Sequence, residues 1–175
     1  MDNAPDLAPD DDSGLDRHWN VTYNIGLGIR YHMMRQQFFG KWHRITAALS
    51  LAFSTSAVAT LANDAKIGAI FAGIVAVLQA LDLVIETRKN SELHNELRQE
   101  YIRLESEMFI HSDTLTKEEY ASFMSKLKAI ELKEPPIMYT LLELCRYDVN
   151  NVHNLENNKK MSFFKKLTAN FIREA

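Results

Sequence analysis

The chain has 175 residues, 46% of them hydrophobic, and a formal net charge of −3, which on average describes one soluble domain or one compact unit with tails. The near-neutral balance singles out no partner, and no direct nucleic-acid binding is expected. Cys145, the single cysteine, excludes an internal disulfide and fits a reducing compartment. The average hides a segregation: apolar residues concentrate between positions 45 and 85, and the charges lie outside them.

Residues 1–16, MDNAPDLAPDDDSGLD, carry Asp2, Asp6, Asp10, Asp11, Asp12 and Asp16, two prolines and no aromatic. Such a segment buries too little apolar surface to offset ordering, so a disordered acidic tail is expected. An acidic start also lacks the basic region of a secretory signal, which makes the first apolar run a retained anchor.

The sign reverses over residues 17–44, where Arg17, Arg30, Arg35, Lys41 and Arg44 stand with no Asp or Glu. Val21, Ile25, Ile29 and His32/Met33 share a helical face, which predicts a cytoplasmic amphipathic helix over Asp16–Phe39. Phe38 to Arg44 then forms an interfacial anchor, with Trp42 at headgroup level and Lys41 and Arg44 toward anionic phosphates. Gly26-Leu27-Gly28 is a fragment of a dinucleotide-binding pattern without a preceding strand and carries no weight.

Ile45–Ala62 contains no charge, and Ile67–Ile85 contains one, Asp82. At about 1.5 Å per helical residue, each is long enough to cross a hydrocarbon core about 30 Å thick. The four residues between them predict a transmembrane hairpin. A pair of core helices in a soluble bundle would keep a polar stripe, and neither run has one. The basic excess before Ile45, with Arg88 and Lys89 after the second span, places both termini in the cytoplasm. Small residues recur every fourth position: Ala48, Ala52, Ser56 and Thr60 on the first span, and Gly68, Ala72, Ala76 and Ala80 on the second. They suit close helix packing, either closing the hairpin on itself or joining subunits.

After Gly73 nothing interrupts helical character before His111. The second span is thus expected to continue into the cytoplasm as one helix over Ile67–His111, roughly 65 Å long. Its soluble half carries a packing seam of Leu93, Leu97, Tyr101, Leu104 and Met108, within the chain or between copies. Thr116 and Glu119 form a capping-box pattern opening a helix with Tyr120, Phe123, Leu127 and Ile130 on one face. Pro135-Pro136 ends it and precedes a helix over Ile137–Asn151. The last piece, KKMSFFKKLTANFIREA, is basic and amphipathic, suited to headgroups or to the other cytoplasmic helices. The predicted class is all-α: a two-helix transmembrane hairpin, at 45–62 and 67–85, with a cytoplasmic helical region at 86–175.

Little points to catalysis. The six histidines are scattered without metal-ligand spacing, and no phosphate-cradling loop or nucleophile motif occurs. No catalytic residue, metal or cofactor is expected. The exception is a polar column on the second span, Gln79, Asp82 and Glu86, spaced three and four apart on one face. Asp82 lies only about 5 Å inside a core that ends near Ile85. The column either lines a path in an oligomer or holds a local interfacial ion pair, with Arg44 or Arg88 as partner.

The run Phe39-Gly-Lys-Trp-His-Arg, two short spans, Ala80-Leu-Asp-Leu-Val and then Leu93-His-Asn-Glu-Leu-Arg-Gln-Glu-Tyr-Ile-Arg-Leu-Glu resembles the SLATT family. The resemblance covers about residues 31–108. It implies a bacterial inner-membrane protein with two spans and a cytoplasmic helical extension, linked to anti-phage conflict systems and acting as a pore-forming or membrane-disrupting effector. By position it singles out Trp42, Asp82 and Tyr101. Since one hairpin cannot enclose water, a pore would require a homo-oligomer in the lipid bilayer. The trigger would be a nucleotide or a partner protein, from a separately encoded sensor or nucleotide-synthesising enzyme. A membrane-anchored interaction module without pore activity is the other reading of the same residues.

Overall fold

The computed structural model describes residues 11–111, 113–153, 162, 169 and 170, and the regular elements among them are all helical. They are α1 (Asp11–Leu61), α2 (Ala65–Ile85), α3 (Thr87–Met108), α4 (Lys117–Glu131) and α5 (Tyr139–Val152). The chain divides into two compact units, one of residues 33–95 and one of residues 1–32 with 96–175. Helices α1 and α3 each contribute to both.

In the unit of residues 33–95, α1 and α2 form a hairpin. Thr60 O ends the first helix by accepting from Asn63 N and Asp64 N at 3.0 and 2.8 Å. Asp64 starts the second: its extended backbone lets the carboxylate accept from Lys66 N and Ile67 N, which have no partner within the helix. Gly68 is buried in the turn, where a β-carbon would meet Leu61 Cα at 3.0 Å, so only glycine allows this approach. Phe53 stacks on Phe71 deeper in the seam, with centroids 5.9 Å apart. Of the most apolar stretches of the two long helical segments, only 11% and 6% is buried within the chain. Both helices are long and apolar enough to cross a membrane, and their large side chains, such as Leu51, Val58, Ile70 and Val77, point outward.

The small-residue columns, which suit either hairpin closure or subunit contacts, divide between the two faces. Gly68 is buried and Ser56 and Thr60 are half-buried, but Ala48, Ala52, Ala72, Ala76 and Ala80 are exposed. The inner face goes instead to Thr46 and Ser50, whose hydroxyls find polar partners there, and this turns the alanines outward. The expectation that the second span is one unbroken helix is corrected. Glu86 adopts φ 49°, ψ 46° between α2 and α3, and its N–H turns back to Leu83 O at 3.2 Å. The second helix stops at Met108, not His111.

The other unit has a four-element apolar core. Val21, Ile25 and Tyr31 come from α1, Leu97, Tyr101, Leu104 and Met108 from α3, Phe123, Leu127 and Ile130 from α4, and Leu141, Leu144 and Cys145 from α5; all are buried. Leu93, at the head of the predicted seam, is half-buried in the first unit. The acidic stretch is helical from Asp11, which corrects a disordered tail reaching Asp16. Leu115 holds it there: its N–H donates to Gly14 O at 3.2 Å and its carbonyl accepts from Arg17 Nε at 2.7 Å. Residues 1–10 lie outside the described residues, as does most of the amphipathic piece after 158. The Thr116–Glu119 capping box opens α4 with both reciprocal bonds present. Helix α5 starts two residues later than predicted, after Met138 N donates to the Tyr31 hydroxyl at 3.0 Å.

Candidate functional site

Asp82 lies one turn before the end of α2, where it gathers polar groups from three helices. Its Oδ2 is 3.1 Å from His43 Nδ1 on α1. Its Oδ1 accepts from Thr87 Oγ1, the first residue of α3, at 2.5 Å, and from Thr46 Oγ1 on α1 at 3.3 Å. Thr87 and Thr46 are 1% and 4% exposed, so this carboxylate is solvated mainly by protein hydroxyls and one imidazole. A carboxylate beside an apolar hairpin costs several kcal/mol unless such donors surround it. About one turn deeper, Gln79 Nε2 donates to Ser50 Oγ at 2.8 Å. The two pairs form a short polar ladder along an otherwise apolar seam.

The expected partners of Asp82 are corrected. Arg44 donates to Gly40 O in its own helix, and Arg88 pairs with Glu92. Both would need to fold back, whereas His43 and Thr46 already face α2. Of the predicted column, Gln79 and Asp82 face α1, while Glu86 is exposed and pairs with Lys89 at 2.9 Å. The left-handed residue itself breaks the helical phase that spacing assumed. His43, Thr46, Ser50 and Thr87 were missed. Their signal was present: His43, Thr46 and Ser50 are three and four apart, polar positions on one face at the start of the first apolar run.

Around the expected interfacial anchor, Lys41 and Arg44 are exposed and Trp42 is half-buried, its ring 6.3 Å from that of Phe38. The Arg35 guanidinium lies 4.5 Å from the Phe39 ring centroid, and Phe39 stacks on buried His94 at 5.8 Å. These contacts, with Ser91 Oγ donating to Gln36 O, join α1 to the start of α3.

The unit of residues 1–32 and 96–175 holds a second polar cluster. Glu134 Oε1 accepts from the Tyr101 hydroxyl at 2.6 Å and lies 3.0 Å from His32 Nε2. His32 is fully buried, stacked on Tyr101 and edge-on to Tyr31. Burial first, and the neighbouring Glu134 carboxylate next, push the Tyr101 hydroxyl far above the ordinary phenol range. The cluster borders a cavity of about 170 Å³ also lined by Asn24, Tyr31 and Arg146. Nearby, Arg30 grips Asp148 through Nε at 3.0 Å and Nη2 at 2.6 Å. Spacing puts His32 on the apolar face of α1 but cannot join it to Glu134, 102 positions away.

Of the residues the family resemblance implies, Trp42 and Asp82 fall in one unit and Tyr101 in the other. Among the described residues no group of three or more His, Cys, Asp or Glu side chains is placed to hold a metal ion. Comparison with protein-family models, with curated proteins and with solved structures finds no match.

Proposed function

We propose that the chain is a membrane effector. Its α1–α2 hairpin spans a bacterial inner membrane, and its remaining helices receive the trigger in the cytoplasm. The observation that carries this reading is the outward apolar surface of the hairpin, almost none of which is covered by the rest of the chain. Lipid is the solvent such a surface suits. The exposed alanines add a second support: Ala48 and Ala52 on α1, and Ala72, Ala76 and Ala80 on α2, lie where another copy's helices can approach closely. One hairpin cannot enclose water, so permeabilisation requires such an assembly. The trigger, a nucleotide or a partner protein, would act on the remaining helices. Resemblance to the SLATT family supports a role in antiviral defence. The role is non-enzymatic.

Dye uptake and depolarisation in cells expressing the chain, with and without phage infection, test this. Permeabilisation on triggering, lost in Ala72→Leu/Ala76→Leu, is the expected result. Intact membranes under every trigger refute it. One observation favours the second reading, a tether for partner proteins: Asp82 already has its partners within the chain. A tether would tolerate the leucine pair with partner capture unchanged.

A further inference from the structure

Residues 83–90, LVIETRKN, contain neither glycine nor proline, and nothing in their local chemistry asks for a break. Yet Glu86 stands at φ 49°, the only non-glycine residue with positive φ among the described residues. Left-handed backbone crowds a β-carbon against the following carbonyl, so a glutamate adopts it only when its surroundings over-determine it. Those surroundings are identifiable. Thr87 Oγ1 donates to Asp82 Oδ1 at 2.5 Å, His43 on α1 holds the other carboxylate oxygen at 3.1 Å, and Asn90 Nδ2 caps Ile85 O at 2.7 Å. In a continuous helix, residues five apart point about 140° away from each other and cannot bond. The Asp82–Thr87 contact therefore exists only in the broken form.

We infer that Glu86 is a two-state joint. In one state the chain is broken at 86 and latched by Asp82 to Thr87 and His43. In the other, residues 65–108 form the single helix their sequence favours. Anything that diverts the Asp82 carboxylate removes the Thr87 contact, found only in the broken state, and shifts the population toward the straight one. The inference rests on the geometry of this unit and not on membrane permeabilisation, so each can fail without the other.

The test uses the full chain in lipid vesicles, with Cys145→Ala and spin labels at Val77→Cys and Glu92→Cys, both exposed. A straight helix separates these backbones by about 22 Å. The unmodified joint should give a shorter separation, and Asp82→Ala and Thr87→Val should each raise the population near that straight-helix distance. Glu86→Gly and Glu86→Ala lose the same exposed pair with Lys89, so their difference reads the backbone alone. Glycine should keep the broken distribution. Alanine should favour the straight one by at least about fivefold over glycine, the ratio set by their helix preferences. Identical distributions in all variants, or a straight helix before any substitution, overturn the joint.

Discussion

Gly28→Ala should destabilise the chain or leave it level, while Gly26→Ala, two residues earlier on the same helix, should stabilise it. A β-carbon on Gly28 falls 2.5 Å from both Cε1 and Cζ of Tyr101, whereas one on Gly26 meets nothing within 4 Å. The Tyr101 ring cannot swing aside. It is 3% exposed, its hydroxyl is bonded to Glu134, and His32 stacks on it. Overpacking of this kind costs about 1–3 kcal/mol, and alanine recovers up to about 1 kcal/mol of helix preference at either position. Gly26→Ala should thus gain about 0.5–1 kcal/mol and Gly28→Ala lose up to about 2 kcal/mol. The gap of about 1–3 kcal/mol corresponds to several degrees, at about 2–4 °C per kcal/mol for a chain of this size. Thermal melts of both variants in one detergent, followed by circular dichroism, measure it. Equal gains at the two glycines would refute the seating of Tyr101 against the α1 backbone.

Thr116→Ala removes the hydroxyl half of the capping box, leaving the backbone N–H of residue 116 on Glu119, and should cost about 1 kcal/mol, read as faster amide exchange in the first turn of α4. The Thr116 backbone N–H, then its hydroxyl, hold the Glu119 carboxyl below the usual carboxylate range. A depressed folded value means its support is full at neutral pH and is lost as acid protonates it. Thr116→Ala should therefore remove the hydroxyl's share of the acid dependence of that turn, and an unchanged profile would count against that hydroxyl bond. Cys145 is fully buried and its thiol is pushed up to about 12, so alkylation at mildly alkaline pH should wait for denaturant. Rapid labelling of the native chain would contradict that burial. Glu134→Ala leaves two buried donors without this acceptor, at about 1–3 kcal/mol each. Glu134→Gln keeps an acceptor, should lose much less, and should bring the Tyr101 ionisation down in a spectroscopic titration.

The capping box and the apolar face of α4 were legible because both are local: three-residue spacing decides the first and helical period the second. The hairpin was legible because two long apolar runs are separated by only four residues. The polar site was only half legible. Spacing found Gln79 and Asp82, since they share a helix, but named Arg44 and Arg88 as partners from charge alone. Whether an arginine reaches a carboxylate depends on which face it leaves, and Arg44 leaves the wrong one. Gly28 carried no weight as part of a cofactor motif, yet it is where a buried tyrosine ring meets the helix backbone.

By itself the sequence determined an all-helical chain with two helices long and apolar enough for a membrane, because composition and period act within each segment. Tertiary contacts decided the rest. They carried the helix of α1 back to Asp11 through Leu115. They turned the alanines outward by giving the seam to Thr46, Ser50, Gln79 and Asp82. At Glu86 the helix stops where the Thr87 hydroxyl reaches Asp82, while His43, 39 positions away on α1, takes the other carboxylate oxygen.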